Sequence, residues 1–488
     1  MNVLPYFALV LLWISTSCSS SSSLAEASPT DEAAKKNAAE VPSAHPGVKV
    51  FASPRPRPAG AASEDWPCIY GPRRDGITRE TKLARQFPKS GPKLLWSLDR
   101  GNGYACPTIV GDRLVYTHLR GDTAVVECLR PIDGKRWWEF RFESKYRGEI
   151  IRNNGPRASA VIADGRVFVH GIAGKLYALS LEDGRELWHR DLQKEYELPD
   201  SFFGVCSTPV AWEDLLIVNL GAGSDKPCVI ALDPKTGKEV WGTPAIGGAS
   251  CSSPVVVQHA GRPWALVLTG GKSRPTEGGL VALHPRTGAL DFEIPWRSRE
   301  FYSVNACMPT FVDGQVFIMA DKGAGSAMVF LDAPGDGDAD VSATPEDRIV
   351  WKNRRFGLEF VSPVLVDDRL YVFDGEARAR SGLVCLDVTT GQEIWRDRLR
   401  LEGDILPGQA SMLIADGDAL CLSDEGTLFW LRLGADGAEK LSEVRLFDAQ
   451  QSWTPPVVHR GLLFVAQNVT GADGTGPRLL CYDLRASE

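Results

Sequence analysis

One phrase recurs eight times along the chain and constrains the fold more than any other feature. It consists of Pro or a substitute, Val or Thr, two variable residues, an Asp/Gly turn and an apolar pair. It begins at Pro107 (PTIVGDRLVY), Ala160 (AVIADGRVFV), Pro209 (PVAWEDLLIV) and Pro254 (PVVVQHAGRP). It returns at Pro309 (PTFVDGQVFI), Pro363 (PVLVDDRLYV), Met412 (MLIADGDALC) and Pro456 (PVVHRGLLFV). The successive spacings are 53, 49, 45, 55, 54, 49 and 44 residues. A second phrase follows in most units: apolar-Ala/Cys-Leu-Asp, a short turn with Gly, then Trp. It reads YALSLEDGRELW ending at Trp188, IALDPKTGKEVW ending at Trp241 and VCLDVTTGQEIW ending at Trp395, with a degenerate copy ending at Trp138. Phe292 takes the Trp place in the fourth unit. An insertion separates FLD (330–332) from Trp351 in the fifth, and the seventh keeps LFWLRL (428–433) without the Trp.

Each unit reads as strand, Asp-Gly turn, strand, loop, strand, Thr-Gly or Asp-Gly turn, strand. Asp and Gly tolerate the positive φ that a tight hairpin demands. Apolar β-branched residues alternate beside those turns. Four antiparallel strands per unit, repeated eight times, predict an all-β, eight-bladed β-propeller. A four-stranded sheet alone leaves two faces bare; radial stacking covers both, and closing the circle removes the exposed ends. The last unit stops at LLCYDL (479–484) with no Gly-turn-Trp strand after it. The missing strand is predicted at the front, in Pro92-Lys93-Leu94-Leu95-Trp96, so an N-terminal strand should close the last blade.

Composition agrees. Gly 48 and Pro 32 are too many for a mainly helical protein and suit short strands joined by turns. The net charge of −8 disfavours a nucleic-acid sleeve, which needs a basic excess, so no nucleic-acid partner is expected. Residues 3–14 (VLPYFALVLLWI) form an apolar run that suits a signal-peptide h-region better than a transmembrane helix. Ser15, Thr16, Ser17 and Cys18 follow, as at a lipoprotein cleavage site, although no Lys or Arg precedes the run and Ser15 stands where Leu is preferred. Three segments result: a leader over 1–18, a disordered Ser/Ala/Pro-rich tether over 19–62, and a propeller over 63–488. The expectation is an exported monomer, periplasmic or anchored to a membrane by lipid on Cys18.

The phrase ALDPKTGKEVW (231–241) resembles the tryptophan-docking repeat of quinoprotein-type (PQQ-like) β-propellers. The leader DWPCIYGPRRDGI (65–77) is similar to the opening segment of exported PQQ-like repeat proteins of bacteria, and the resemblance covers roughly 65–485. It implies two kinds of relative. One is the non-catalytic lipoprotein propeller of the outer-membrane β-barrel assembly machinery. The other is the quinoprotein dehydrogenases, which bind pyrroloquinoline quinone and calcium, the cofactor lying against a ring of two adjacent, disulfide-linked cysteines. This chain has 11 cysteines and no adjacent pair. A scaffold that binds envelope proteins, with no cofactor, is therefore the first expectation. A quinone-dependent dehydrogenase or ligand sensor, with pyrroloquinoline quinone and calcium, is the alternative.

Candidate residues follow from the repeat. Trp96, Trp138, Trp188, Trp241, Phe292, Trp351 and Trp395 are read as aromatic faces packed between neighbouring blades. Cys128, Cys385 and Cys481 stand where other units carry Ala178, Ala231 and Ala282, a small buried place. Cys206 and Cys251 each stand three residues before the strand-opening Pro (CSTP, CSSP); Cys106 and Cys307 lie one and two residues before theirs. All four belong near one mouth of the axial channel. Packing is their first expectation, with a disulfide, or a metal or redox cluster, as alternatives. Asn154, Arg157, Asn305, Glu359, Gln409 and Gln451, with Tyr104, Phe203, Tyr302 and Trp453, are expected to face the same mouth. Polar groups converging among aromatics build a ligand site, and they also line any water-filled channel. Asp336, Asp338 and Asp340 alternate, with Asp347 at the twelfth place, which imitates a calcium loop. Val341 occupies its Gly place, so a solvated hairpin tip is expected there instead. No Gly-rich phosphate loop, HExxH or GxSxG motif is present.

Overall fold

Apolar residues alternate beside each turn, and the first seven units each fold into an antiparallel four-stranded sheet whose order follows the chain. A computed structural model describes residues 41–148, 153–198, 203–222, 226–270, 278–300, 303–320, 323–332, 344–358, 360–374, 381–401, 404–405 and 410–487. The blades begin with the strands Thr108–Val110, Val161–Ala163, Val210–Trp212, Val255–His259, Thr310–Val312, Val364–Val366, Ala410–Ala415 and Val457–His459. These first strands are innermost. That of blade one touches that of blade two, two touches three, three touches four, and five, six and seven follow in the same way. The first hairpin uses the predicted chemistry: Asp164 and Gly165 sit at φ 47° and 71°, a turn whose twist matches that of the strands.

The eighth blade joins both ends of the chain. Lys93–Asp99 pairs antiparallel with Arg478–Asp483, with Trp96 opposite Cys481 and Asp99 opposite Arg478. The fold is thus an eight-bladed propeller closed by an N-terminal strand, as the repeat count predicts. A fifth strand, Val48–Val50, adds to the outer edge of Lys93–Asp99.

That fifth strand corrects the tether boundary. Residues 42–62 were expected to be disordered on composition, yet they lie on the propeller. Ser43 bridges Arg136, and the Arg55 side chain pairs with the buried Asp483 (Nε to Oδ2, 2.9 Å). His45 donates from Nε2 to Oε1 of the buried Glu127 (2.9 Å), because its Nδ1 already accepts from Gly47 N–H. Backbone pairing to a sheet edge and single buried ion pairs need no apolar run, so composition does not register them. Residues 19–40 and Cys18 lie outside the described residues.

The recurring Gly and Trp form one inter-blade contact. Five docking Trp indoles lie on the Gly of the next blade's outer turn and donate their N–H to a carbonyl of that turn, whereas the buried Trp395 N–H finds no such carbonyl among the described residues. Trp96 reaches Pro131 O (2.9 Å), Trp138 Leu181 O (2.9 Å), Trp188 Pro234 O (3.0 Å), Trp241 Pro285 O (3.0 Å) and Trp351 Val388 O (3.0 Å). The turn is shaped by its Asp: Asp233 Oδ1 accepts from Lys235 N (2.7 Å) and Thr236 N (2.9 Å). In most blades a small residue stands across from the Trp, with Cys128 opposite Trp138, Ala178 opposite Trp188 and Cys385 opposite Trp395, while blade five sets Met328 opposite Trp351.

The exceptions have the same cause. In blade five an insertion in the sequence separates FLD (330–332) from Trp351, and among the described residues there Arg348 stacks its guanidinium 4.1 Å from the Phe292 ring while donating to Leu331 O (2.6 Å). Blade eight has no outer turn at all, because its last two strands come from opposite ends of the chain. Blade seven accordingly carries Ser442 at the docking position, and Ser442 Oγ donates to Arg85 O (2.6 Å) in the entering segment. The residue across from Ser442 is the buried Trp430, so large and small have exchanged places.

Candidate functional site

The propeller's own opening segment, the leader of residues 65–78, fills the axis. Trp66 exchanges backbone hydrogen bonds with Ile109 of blade one (2.7 Å each way), and Pro67 O accepts from Ile162 N–H of blade two (2.9 Å). Gly76 and Thr78 bracket Ile414 of blade seven (2.9 Å each). Between them Arg74, 8 % exposed, donates to Pro254 O (3.2 Å), Thr208 O (3.4 Å) and Pro209 O on blades three and four. A guanidinium suits this place because it spreads several donors in one plane toward carbonyls that the strand starts leave unpaired.

The strand starts are themselves laced together. The residue before the opening Pro offers a hydroxyl to the backbone N–H at the matching place one blade earlier. Ser159 accepts from Cys106 (2.9 Å), Thr208 from Ser159 (3.0 Å), Ser253 from Thr208 (2.9 Å) and Ser362 from Met308 (3.0 Å). This sets blade-to-blade register near the axis. The signal was present in the sequence as Ser or Thr before Pro in STP, SSP and VSP.

What remains at this mouth is a funnel of about 150 Å³. Ile69 and Tyr70 of the leader line it, with Tyr104, Arg157, Phe203, Phe360 and Trp453 among its aromatic and charged walls. Tyr104 stacks on Trp453 (5.2 Å, 23°), Phe360 lies parallel to Trp453 (6.4 Å, 1°), and Phe203 meets Phe360 edge-on (5.9 Å). Trp453 and Phe360 are 38 % and 41 % exposed, so aromatic surface is presented at the mouth. Arg157 lies over Tyr104 (5.8 Å) and Phe203 (5.9 Å) and donates to Asn153 O (3.1 Å) and Gly155 O (3.5 Å). Burial pushes the Tyr104 hydroxyl up despite Arg157 nearby. Cys206 and Cys251 share the wall, packed against Phe203 and Val304.

The candidate residues divide. Arg157, Tyr104, Phe203 and Trp453 do line the funnel. Gln451 holds its rim, accepting from the Tyr104 hydroxyl (2.8 Å). Asn154 turns away to accept from Gly148 N–H (2.9 Å). Asn305 is buried behind the wall, its amide donating to Thr269 O (2.7 Å) and Trp296 O (3.0 Å). Both are corrections to the expected channel lining: a polar side chain in an irregular segment satisfies the nearest backbone group first. Glu359, Gln409 and Tyr302 lie outside the described residues, as do Asp336, Asp338 and Asp340. Asp347 accepts from Thr344 N–H (2.9 Å) and Oγ (2.7 Å), the geometry of a capped turn. Phe360 and the leader's own Ile69 and Tyr70 were not foreseen.

The two funnel thiols belong to separate blades, and the Arg157 guanidinium already points toward two carbonyls. Among the described residues no group of three or more His, Cys, Asp or Glu could hold a metal ion.

A closed ring of eight blades, five of them docked on a neighbour through a Trp and the axis filled by residues 65–78, defines a PQQ-like repeat propeller. The family profile described as outer membrane protein assembly factor BamB matches residues 122–397, and the chain belongs to that family. It is 24 % identical over 313 residues to the BamB of Yersinia pestis, covering 61 % of this chain and 68 % of that protein. It is 28 % identical over 166 residues to a quinoprotein ethanol dehydrogenase of Pseudomonas putida, covering 31 % of this chain and only 24 % of the enzyme. Among solved structures, BamB from Moraxella catarrhalis superposes with a TM-score of 0.52 at 14 % identity, over 81 % of this chain and 98 % of that one. The quinohemoprotein alcohol dehydrogenase of Comamonas testosteroni gives a TM-score of 0.57 at 14 % identity, over 88 % and 82 %. At such identity the structural likeness speaks for the fold alone.

Proposed function

We propose that this chain is an exported, non-catalytic propeller that binds envelope proteins during outer-membrane assembly. Family membership supports the reading, and the filled axis carries it. Residues 64–78 occupy the place where a propeller would hold a ligand, and the remaining funnel of about 150 Å³ falls below the ~300–1,000 Å³ of ordinary small-molecule sites. Rigid faces and loops are left to make contacts. In this reading residues 1–18 are a leader, Cys18 carries lipid, and residues 19–41 tether a monomeric propeller to a membrane. Among the described residues no helix is long and apolar enough to cross one.

The test is crosslinking of the full chain in its own envelope, followed by mass spectrometry, with the intact mass reporting cleavage and lipid at Cys18. Outer-membrane proteins or their assembly factors are the expected partners. Recovery of no envelope protein overturns the proposal. The dehydrogenase relatives motivate a second arm: added pyrroloquinoline quinone and calcium should leave absorbance and dye reduction unchanged, and a turnover signal would overturn the non-catalytic reading.

A further inference from the structure

Two thiols stand apart from the rest. Of the ten described cysteines, eight are buried, whereas Cys206 and Cys251 are partly exposed at the funnel wall. Inter-blade register puts them side by side. Thr208 N–H donates to Ser253 Oγ (2.9 Å), and each cysteine stands two residues before that matched pair. Their blades touch at the innermost strands. The two side chains are hydrogen-bonded to one another, and Cys206 Sγ also lies near Phe203 O (3.7 Å) and Gly204 O (3.6 Å).

We propose that Cys206 and Cys251 are a redox-active dithiol that closes to a disulfide across blades three and four by exchange with an external disulfide. Cys206 is the attacking group. Burial would push its thiol up, but the hydrogen bond from Cys251 and the positive charge of Arg157 outweigh it and bring the thiol below its ordinary value. By contrast burial pushes Cys106, Cys128 and Cys228 up. The Cys206 thiolate attacks one sulfur of the external disulfide, that S–S bond breaks, and one thiolate leaves. Cys251 then gives up its proton and attacks the Cys206 sulfur, releasing the second thiolate. Two protein thiols become one disulfide, the external disulfide is reduced to two thiols, and the two protons pass to them. Closure links two blades at the mouth and removes both thiols from the funnel wall, so funnel chemistry would follow the redox poise of the compartment.

The probe is 2-hydroxyethyl disulfide, small enough to enter the funnel, added to the folded full-length protein. Remaining thiols are alkylated after denaturation, and intact mass and peptide maps are read. The expected product has lost two hydrogen atoms and contains one link, between the peptides holding Cys206 and Cys251. Cys251→Ser should instead trap a mercaptoethanol adduct on Cys206. Arg157→Gln should slow that adduct several-fold near neutral pH. Independent adducts on both cysteines, a link elsewhere, or reaction no faster than at the buried thiols would overturn the proposal. Should Cys251→Ser fail to fold, the wild-type peptide map decides alone.

Discussion

Replacing Gly237 with Ala tests the inter-blade contact that repeats around the ring. Gly237 sits at φ +71° in the outer turn of blade three, and a Cβ there would lie 2.7 Å from Cε3 and 2.8 Å from Cδ2 of Trp188. Gly165, in an inner hairpin, has the same φ of +71°, yet a Cβ there meets nothing within 4 Å. Both substitutions bear the strain of an L-residue in the left-handed region, about 1–2 kcal/mol. Gly237→Ala alone adds overpacking against a ring held by its hydrogen bond, about 1–3 kcal/mol more. The expected losses are therefore about 2–5 kcal/mol for Gly237→Ala and about 1–2 kcal/mol for Gly165→Ala. Urea unfolding followed by far-ultraviolet circular dichroism measures both. Trp188→Ala clears the space, so its combination with Gly237→Ala should cost less than the sum, by about 1–3 kcal/mol. Equal losses at the two glycines, or strict additivity with Trp188→Ala, would refute the docking argument.

Three further outcomes are expected. Burial pushes the His170 imidazole down to about 4, so the folded state keeps it neutral while the unfolded chain protonates near 6.5. Its contribution is intact above that value and declines as pH falls toward 4, by roughly 3 kcal/mol in total, and His170→Leu should flatten the urea midpoint over that window. Glu127 is buried, which would raise its carboxyl, but His118 and His45 hold it well below the ordinary range, so its stabilisation is present above the carboxylate range and lost as pH falls through it. Glu127→Gln should cost about 1–3 kcal/mol and speed hydrogen exchange in Val48–Val50. Arg74→Met leaves the carbonyls of Thr208, Pro209 and Pro254 unpaired, and should cost about 2–4 kcal/mol and open residues 64–78 to limited proteolysis.

The repeat made the ring legible because each apolar alternation and each Asp-Gly turn has one structural solution. The closing strand was legible for a related reason: a blade with three strands at one terminus demanded a fourth from the other. Even the gaps in the pattern carried information, since blade seven lacks its Trp where blade eight lacks an outer turn to receive it. The funnel was only half legible. Period fixes which strand is innermost but not where a side chain turns in the irregular segment before it, so Arg157 and Asn305 looked alike and proved different. The seating of residues 42–62 was illegible, because Val48–Val50 is held by backbone bonds to an edge and His45 by one buried carboxylate.

The eighth blade sets the order in which the molecule can be finished. Asp99 and its partner Arg478 are separated by more than three-quarters of the chain. A polypeptide emerging from its ribosome or translocon amino end first would present Lys93–Asp99 early, with Val48–Val50 on one edge and the other edge, destined for Arg478–Asp483, unpaired. Seven blades could assemble meanwhile as an open arc. Shielding that waiting strand is then a task for chaperones, and a nascent chain stalled before Arg478 should be an aggregation hazard rather than a smaller working ring.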